Sequence, residues 1–166
     1  MISNAYRKLN EEMHEAKPHY GVSGVKYANQ VAALAMSMQT QDLLDYGCGK
    51  STLAQNLPFK IKQYDPAIPK YSKMPEPADL VVCTDVLEHV EPELLGEVLD
   101  HLKQLTKVKG FFIIAARPAN KTLPDGRNAH LIIEDARWWL NALWDKFKIV
   151  GFQDQIDQFL VIVEAK

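Results

Sequence analysis

The sequence predicts an α/β domain: a mostly parallel, doubly wound sheet that closes in an antiparallel hairpin. Short apolar runs, "DLLDY" at 42–46, "ADLVVCTDV" at 78–86 and "FFIIAA" at 111–116, alternate with stretches of helical period. Such alternation argues for parallel strands covered by helices on both faces. Two further runs, "KIVGF" and "QFLVIVEA", follow one another near the end with only a few residues between them, as a hairpin requires. A chain of 166 residues builds one domain of ordinary size around a single core.

Taken in order, residues 3–16 form a charged helix that ends before Pro18. A second helix is expected over Ser23–Met38, with Val31, Leu34, Ala35 and Met38 on one face. "DLLDY" is the first strand. A short helix from Ser51 to Leu57 stops at Pro58, and "FKIKQYD" is the second strand, ending at Asp65. After the third strand, Glu91-Pro92-Glu93 opens an amphipathic helix, with proline in the first turn and carboxylates at its positive end. Its apolar stripe runs through Leu94, Leu95, Val98, Leu99, Leu102 and Leu105, with Lys107 and Lys109 near its negative end and Gly110 as the residue that stops it. "EDARWWLNALWDKF" is the last helix, with Trp144, Leu140 and Leu143 as core and Trp138 or Trp139 as candidates to flank a pocket. Residues 1–38 thus read as an N-terminal helical cap and 39–166 as the main domain.

Composition narrows the function classes. With 47% hydrophobic and 24% charged residues, the chain has the profile of a soluble globular protein. A net charge of −2 gives no electrostatic case for nucleic acid as a general partner. Two cysteines, Cys48 and Cys83, suggest a reduced, cytoplasmic chain rather than a disulfide framework. The start is polar, with no signal-type apolar segment, and no run approaches the ~20 apolar residues of a membrane span.

In a parallel sheet, ligands bind beyond the carboxyl ends of the strands. "LLDYGCGKST" at 43–52 stands at the first such end. A phosphate loop ending at Gly49-Lys50-Ser51 needs a glycine at 44, where Leu stands, and a dinucleotide fingerprint needs one at 52, where Thr stands. Both fail on spacing. What remains is an acidic residue leading a tight glycine turn, Asp45-x-Gly47-x-Gly49, and a second acid, Asp65, eighteen residues past Gly47.

"LLDYGCGKSTLA", then "YDPA", then "DLVVCTDVLEHVEPELL" together resemble the class I S-adenosylmethionine-dependent methyltransferases, of the type 11/12 kind, over roughly residues 40–165. The resemblance implies a Rossmann-like fold and an S-adenosylmethionine site. Gly47, Cys48 and Gly49 would bring the backbone against the methionine part, and Asp45 would help to hold the turn and the cofactor's amino group. Asp65 would accept from the ribose hydroxyls, and Thr84 and Asp85 would close the site from the third strand. The chain departs from the family twice. Ser51 stands where a third glycine is usual, and only "PAIPKYSKMPEPA", with four prolines, connects Asp65 to Asp79. No long helix fits there, so the sheet is expected to be clipped around the family's third strand, with Ile68 or Tyr71 as candidates to pack on adenine.

The chemistry falls to the third strand's end and to the long loop "RPANKTLPDGRNAHLI" at 117–132, whose length marks it as functional or disordered. His130 is the candidate base, since a near-neutral pKa suits proton abstraction. Arg117 and Asp85 complete the catalytic candidates. Asp85-x-x-Glu88-His89 also resembles a segment of two metal-using groups, the ubiquinone-pathway O-methyltransferases and the enzymes that methylate the terminal ribose of small RNAs. That resemblance implies a divalent ion, Mg or Mn, on Asp85, Glu88, His89 and His130. The alternative is that Glu88 and His89 serve as helix-start and structural hydrogen-bonding groups with no metal. Gly21 and Gly24 bracket a turn that can hinge Tyr20 over the pocket. The acceptor is expected to be a small or nucleotide-like molecule; a macromolecular acceptor and a non-catalytic cofactor-binding subunit are the alternatives. Oligomeric state leaves no trace in the sequence.

Overall fold

A computed structural model describes residues 2–166. Its centre is one six-stranded sheet in the order β2-β1-β3-β4-β6-β5. The strands are β1 (Leu43–Tyr46), β2 (Lys62–Tyr64), β3 (Ala78–Thr84), β4 (Thr106–Ala115), β5 (Phe147–Asp154) and β6 (Gln158–Ala165). The first four run parallel, and β6 lies antiparallel between β4 and β5. The predicted Rossmann-like sheet with its closing hairpin is therefore present. Beyond β2 the chain forms only a 3-10 turn, Pro69–Tyr71, so the sheet is clipped where the prolines fall.

β3 and the carboxyl-terminal half of β4 are apolar because both of their faces are covered. Leu44, Tyr46, Val81, Cys83, Phe112 and Ile114 point to α4 (Leu95–Leu105) and α5 (Ala136–Trp144). Their neighbours Leu43, Leu80, Val82, Phe111 and Ile113 point to α2 (Ala28–Ser37) and α3 (Thr52–Gln55). The period of two divides one continuous run between two cores. Each fully buried Leu, Ile or Phe contributes about 1.5–3 kcal/mol to holding a helix layer on the sheet.

Four local expectations are corrected. Residues Ser23–Tyr27 are a 3-10 turn, and α2 begins only at Ala28. Gly24 presses on α3 so closely that a Cβ would lie 2.8 Å from that of Leu53. α4 ends at Leu105 and β4 follows at once, so Gly110 is no helix stop. Thr106 Oγ1 closes the helix by donating to the Leu102 carbonyl at 2.7 Å, and Gly110 sits opposite Val163 in the sheet. β2 covers three residues, not the seven from Phe59. In α5 the Asp135 cap, accepting from Trp138 N at 2.8 Å, sets a register that buries Trp139 and Leu143 and leaves Trp144 62% exposed. Trp139 is core, and Trp144 is not.

α1 (Asn4–Ala16) packs against the long loop that follows β4. Its Tyr6 and Met13, with Tyr20, pack on Leu123 and Ala129 of the long loop. Its cap residue Ser3 donates through N and Oγ to the Glu91 carboxylate, at 2.8 and 2.6 Å. Among the described residues no helix is long and apolar enough to cross a membrane.

Candidate active site

A cavity of about 280 Å³ opens at the carboxyl ends of β1, β2, β3 and β4, beneath α1. It brings together Asp45, Gly47, Cys48, Gly49, Asp65, Thr84, Asp85, His89, Arg117 and His130, which the sequence scatters over 86 positions. Its size is near the lower end for small-ligand sites.

The floor is backbone. Gly47 N and Cys48 N both donate to the Tyr64 carbonyl, at 2.7 and 3.0 Å, which stitches the turn to the end of β2. Asp65 accepts from Gly49 N at 3.0 Å and Ala67 N at 2.9 Å, one bond per carboxylate oxygen. Each oxygen keeps a further lone pair for a ligand. Gly47 and Gly49 have φ of +76° and +50°. The protein itself already demands both: a Cβ on Gly47 would meet Val86 at 2.4 Å, and one on Gly49 would meet the Gly21 carbonyl oxygen at 2.5 Å. Ser51, in the place of the usual third glycine, adopts a left-handed φ of +66°, and its Oγ accepts from Gln63 Nε2. Asp45 is buried, and burial first, then the Asp65 carboxylate, pushes it up to about 7. Burial likewise raises the Cys48 thiol, which rules against a reactive thiolate.

The opposite wall is made by side chains that hold carbonyls. His89 Nδ1 lies 2.6 Å from the Ala129 carbonyl oxygen, and His130 Nδ1 lies 2.6 Å from that of Arg117. A carbonyl can only accept, so both rings carry their proton on Nδ1 and present a bare Nε2. Burial lowers both pKa values, His89 to about 3 with help from His130, so both are neutral at pH 7. Glu88 is fully buried below them, accepting from Ala115 N at 3.0 Å through Oε1, while its Oε2 has no partner. Burial, then Asp85, raises its pKa to about 8. Among the described residues, ligand atoms of Glu88, His89 and His130 lie within 4.8 Å of one another; Asp85 does not join that cluster. It sits at the end of β3 with φ +54°, its N bonded to the Ile113 carbonyl at 3.1 Å.

The family described as "Methyltransferase domain" matches residues 19–150 of the chain. The chain belongs to the class I S-adenosylmethionine-dependent methyltransferases. Solved structures share the fold at low identity. A Burkholderia thailandensis 1,6-didemethyltoxoflavin-N1-methyltransferase with bound S-adenosylhomocysteine is 13% identical, with a TM-score of 0.66 over 98% of this chain and 87% of that one. The N-methyltransferase NodS from Bradyrhizobium japonicum WM9, in complex with S-adenosylhomocysteine, is 16% identical, with a TM-score of 0.61 over 98% and 99%. Magnesium protoporphyrin IX methyltransferase from Synechocystis PCC 6803, with bound SAM, is 15% identical, with a TM-score of 0.58 over 86% and 79%. No curated protein matches the sequence.

This methyltransferase also has a roof whose side chains sequence reasoning did not single out. Tyr6, Asn10 and His14, four residues apart, turn one face of α1 into the cavity. The signal was present as polar side chains at i, i+4 and i+8, hidden in a helix that reads as charged all round. Tyr20 is fixed, its hydroxyl donating to Asn10 Oδ1 at 2.8 Å and its ring edge-on to His89. Among the described residues, the hydroxyl of Tyr6, which is 4% exposed, and His14 Nδ1 have no partner. The expected glycine hinge is a packing point: a Cβ on Gly21 would meet His14 at 2.6 Å. Several loop residues stay out of the cavity. Asp125 and Arg127 pair with each other at 2.7 Å, and Asn128 Oδ1 accepts from Ala119 N and His130 N to shape the loop. Ile68, Tyr71 and Trp138 do not line the cavity.

Proposed function

We propose that this methyltransferase transfers a methyl group to an oxygen or nitrogen of a small-molecule or nucleotide-like acceptor, with His130 as the base. The bare Nε2 of His130 on the cavity wall carries this reading. S-adenosylmethionine, bound on the floor, supplies an electrophilic methyl group on a sulfonium. The residues fit it: Asp65 has lone pairs to spare for ribose hydroxyls, and Asp45 is a buried acid placed to meet an ammonium. His130 takes the acceptor's proton at Nε2, its tautomer held by the Arg117 carbonyl. α1 and Tyr20 exclude water and hold the reactants in line. Turnover of S-adenosylmethionine against a panel of O–H and N–H acceptors tests the reading. His130→Ala should lower kcat by about 10²–10⁴-fold while the cofactor's Kd stays within a factor of two or so. Equal losses in both would move His130 from base to scaffold.

One observation favours a second reading, a divalent ion on Glu88, His89 and His130. Ring nitrogens bound to backbone carbonyls are the usual second shell of metal-binding histidines, and Glu88 Oε2 is an orphan. Two imidazoles and a carboxylate suit Fe, Zn or Mn better than Mg. Such an ion would polarise an acceptor oxygen. Calorimetric titration of Mn or Zn into the protein saturated with S-adenosylhomocysteine should show one site, weakened in Glu88→Gln. Absence of binding removes the metal and leaves His130 as the base.

A further inference from the structure

The cavity is lopsided in charge. Its floor carries the acids Asp45 and Asp65, whereas the side formed by the turn before α2 and the loop after β4 carries Lys26, Arg117 and Lys121. Elsewhere five lysines sit on carboxylates: Lys62 and Lys107 on Asp42, Lys109 and Lys148 on Glu164, Lys146 on Asp100; the other lysines outside the cavity are not ion-paired among the described residues. Nor are those that line it. Among the described residues Lys26 and Lys121 make no ion pair, and Lys121 Nζ instead donates to the His19 carbonyl above the Tyr20 ring. The Arg117 guanidinium donates to the neighbouring Pro118 carbonyl and approaches Asp157 only to 3.9 Å at the exposed rim. Of the other acids that line the cavity, Glu91 is engaged by Ser3, and among the described residues no ion pair joins Asp85 to the three. Lys17, Lys50 and Lys26 lower the Lys121 pKa further after burial, so positive charge is concentrated here on a chain whose net charge is −2.

The cofactor does not call for this arrangement. S-adenosylmethionine has one carboxylate against an ammonium and a sulfonium, so it is a net cation and matches one basic group at most. We infer that the acceptor carries a carboxylate or phosphate, held by Lys26, Arg117 and Lys121, which fixes its nucleophilic atom toward His130. The planar Arg117 fork suits two oxygens of either group. Arg117 also joins anchor to base, because its own carbonyl holds His130. The basic groups gather round the mouth of a cavity of about 280 Å³, with Lys26 and Arg117 at its rim, a space that suits a small anion rather than a nucleic-acid strand.

This inference rests on the methyl-transfer reading, and the experiment separates the two. Protein saturated with S-adenosylhomocysteine is titrated with citrate and with pyrophosphate at constant ionic strength set by NaCl, and Tm is followed. A saturable rise with at least one of them is expected, and the double variant Lys26→Gln, Arg117→Gln should need about tenfold more anion or beyond. S-adenosylhomocysteine affinity within about twofold of the wild type shows that the double variant is folded; if it is not, Lys26→Gln alone, at the exposed rim, takes its place. No saturable response to either anion, or an unchanged one in the variant, overturns the anionic acceptor and leaves methyl transfer standing. Failure of the wild type to bind S-adenosylhomocysteine overturns the reading beneath it. Tighter binding of a short single-stranded RNA, with a steep loss in salt, overturns the small anion in favour of nucleic acid.

Discussion

The two sides of the cavity are built from different material. On the floor, backbone amides carry the contacts: Gly47 and Cys48 on the Tyr64 carbonyl, Gly49 on the Asp65 carboxylate, and Lys50 N on the Gly21 carbonyl at 2.8 Å. On the wall, imidazole and amide side chains hold carbonyls and amides of a loop that lacks regular structure. A site made of backbone tolerates almost no added atom. A site made of side chains on a loop can exchange them while the sheet stays as it is. That division suits a common cofactor facing a variable acceptor.

Glycine substitutions on the two sides test the contrast most severely. Gly49→Ala drives a Cβ into the Gly21 backbone at a φ of +50° and should cost about 3 kcal/mol or more of stability. Gly126→Ala in the loop, at φ +90° but with open space around it, should cost about 1 kcal/mol, the strain alone. Urea denaturation of both would break the comparison if the two losses were equal. Next in size, Asp65→Ala should weaken S-adenosylmethionine binding by about 1.5–3 kcal/mol, seen by calorimetry. Asp65→Asn sharpens the result, since it keeps an acceptor oxygen for one amide and loses the charge.

Asp45 gives the floor a pH signature. Its folded pKa of about 7 lies above its usual value, so between roughly pH 4 and 7 the folded cofactor-free protein keeps a proton that the unfolded chain has lost. Its contribution is therefore complete in acid, falls by up to about 1.4 kcal/mol per pH unit across that window, and is gone above it. The stability difference between the wild type and Asp45→Asn, followed by denaturation from pH 4 to 8, should shrink in the wild type's disfavour as pH rises. A flat difference would mean that Asp45 is solvated. The smallest effect belongs to Ser51→Gly, which relieves a left-handed serine and gives up the Gln63 contact; a gain of at most about 1 kcal/mol in thermal denaturation is expected.

The floor was legible because its signals are local. Asp45-x-Gly47-x-Gly49 and the acid at 65 lie at strand ends that periodicity alone locates. The proline run at 66–77 also foretold the clipped sheet correctly. The reason for the glycines was not legible, since Val86 and Gly21 approach them only in three dimensions. At the wall, His130 stood out by residue type, but its tautomer depends on a carbonyl thirteen positions away. Asp85 was grouped with Glu88 and His89 by the resemblance of their segment, but that segment forms a 3-10 turn, Leu87–His89, after a left-handed Asp85. Gly110 misled for a similar reason: a glycine after a helical run signals a stop, but here it makes room in a strand for Phe112 and Val163. The side chains of the roof escaped because nothing near residues 6–14 announces what they cover.

The bonds from Ser3 to Glu91 span 88 positions and tie the residue that caps the roofing helix, through its acceptance from Tyr6 N, to the turn after β3. α1 is synthesised before the sheet it covers, yet its anchor exists only once β3 and the turn after it are in place. Contacts of such long range close late in folding. α1 is thus made early and docked last, and by the same connectivity it can undock without unpairing a strand. Its amides should exchange with deuterium on a faster clock than those of β3 and β4, which makes the roof a unit with its own equilibrium, set apart from the unfolding of the protein as a whole.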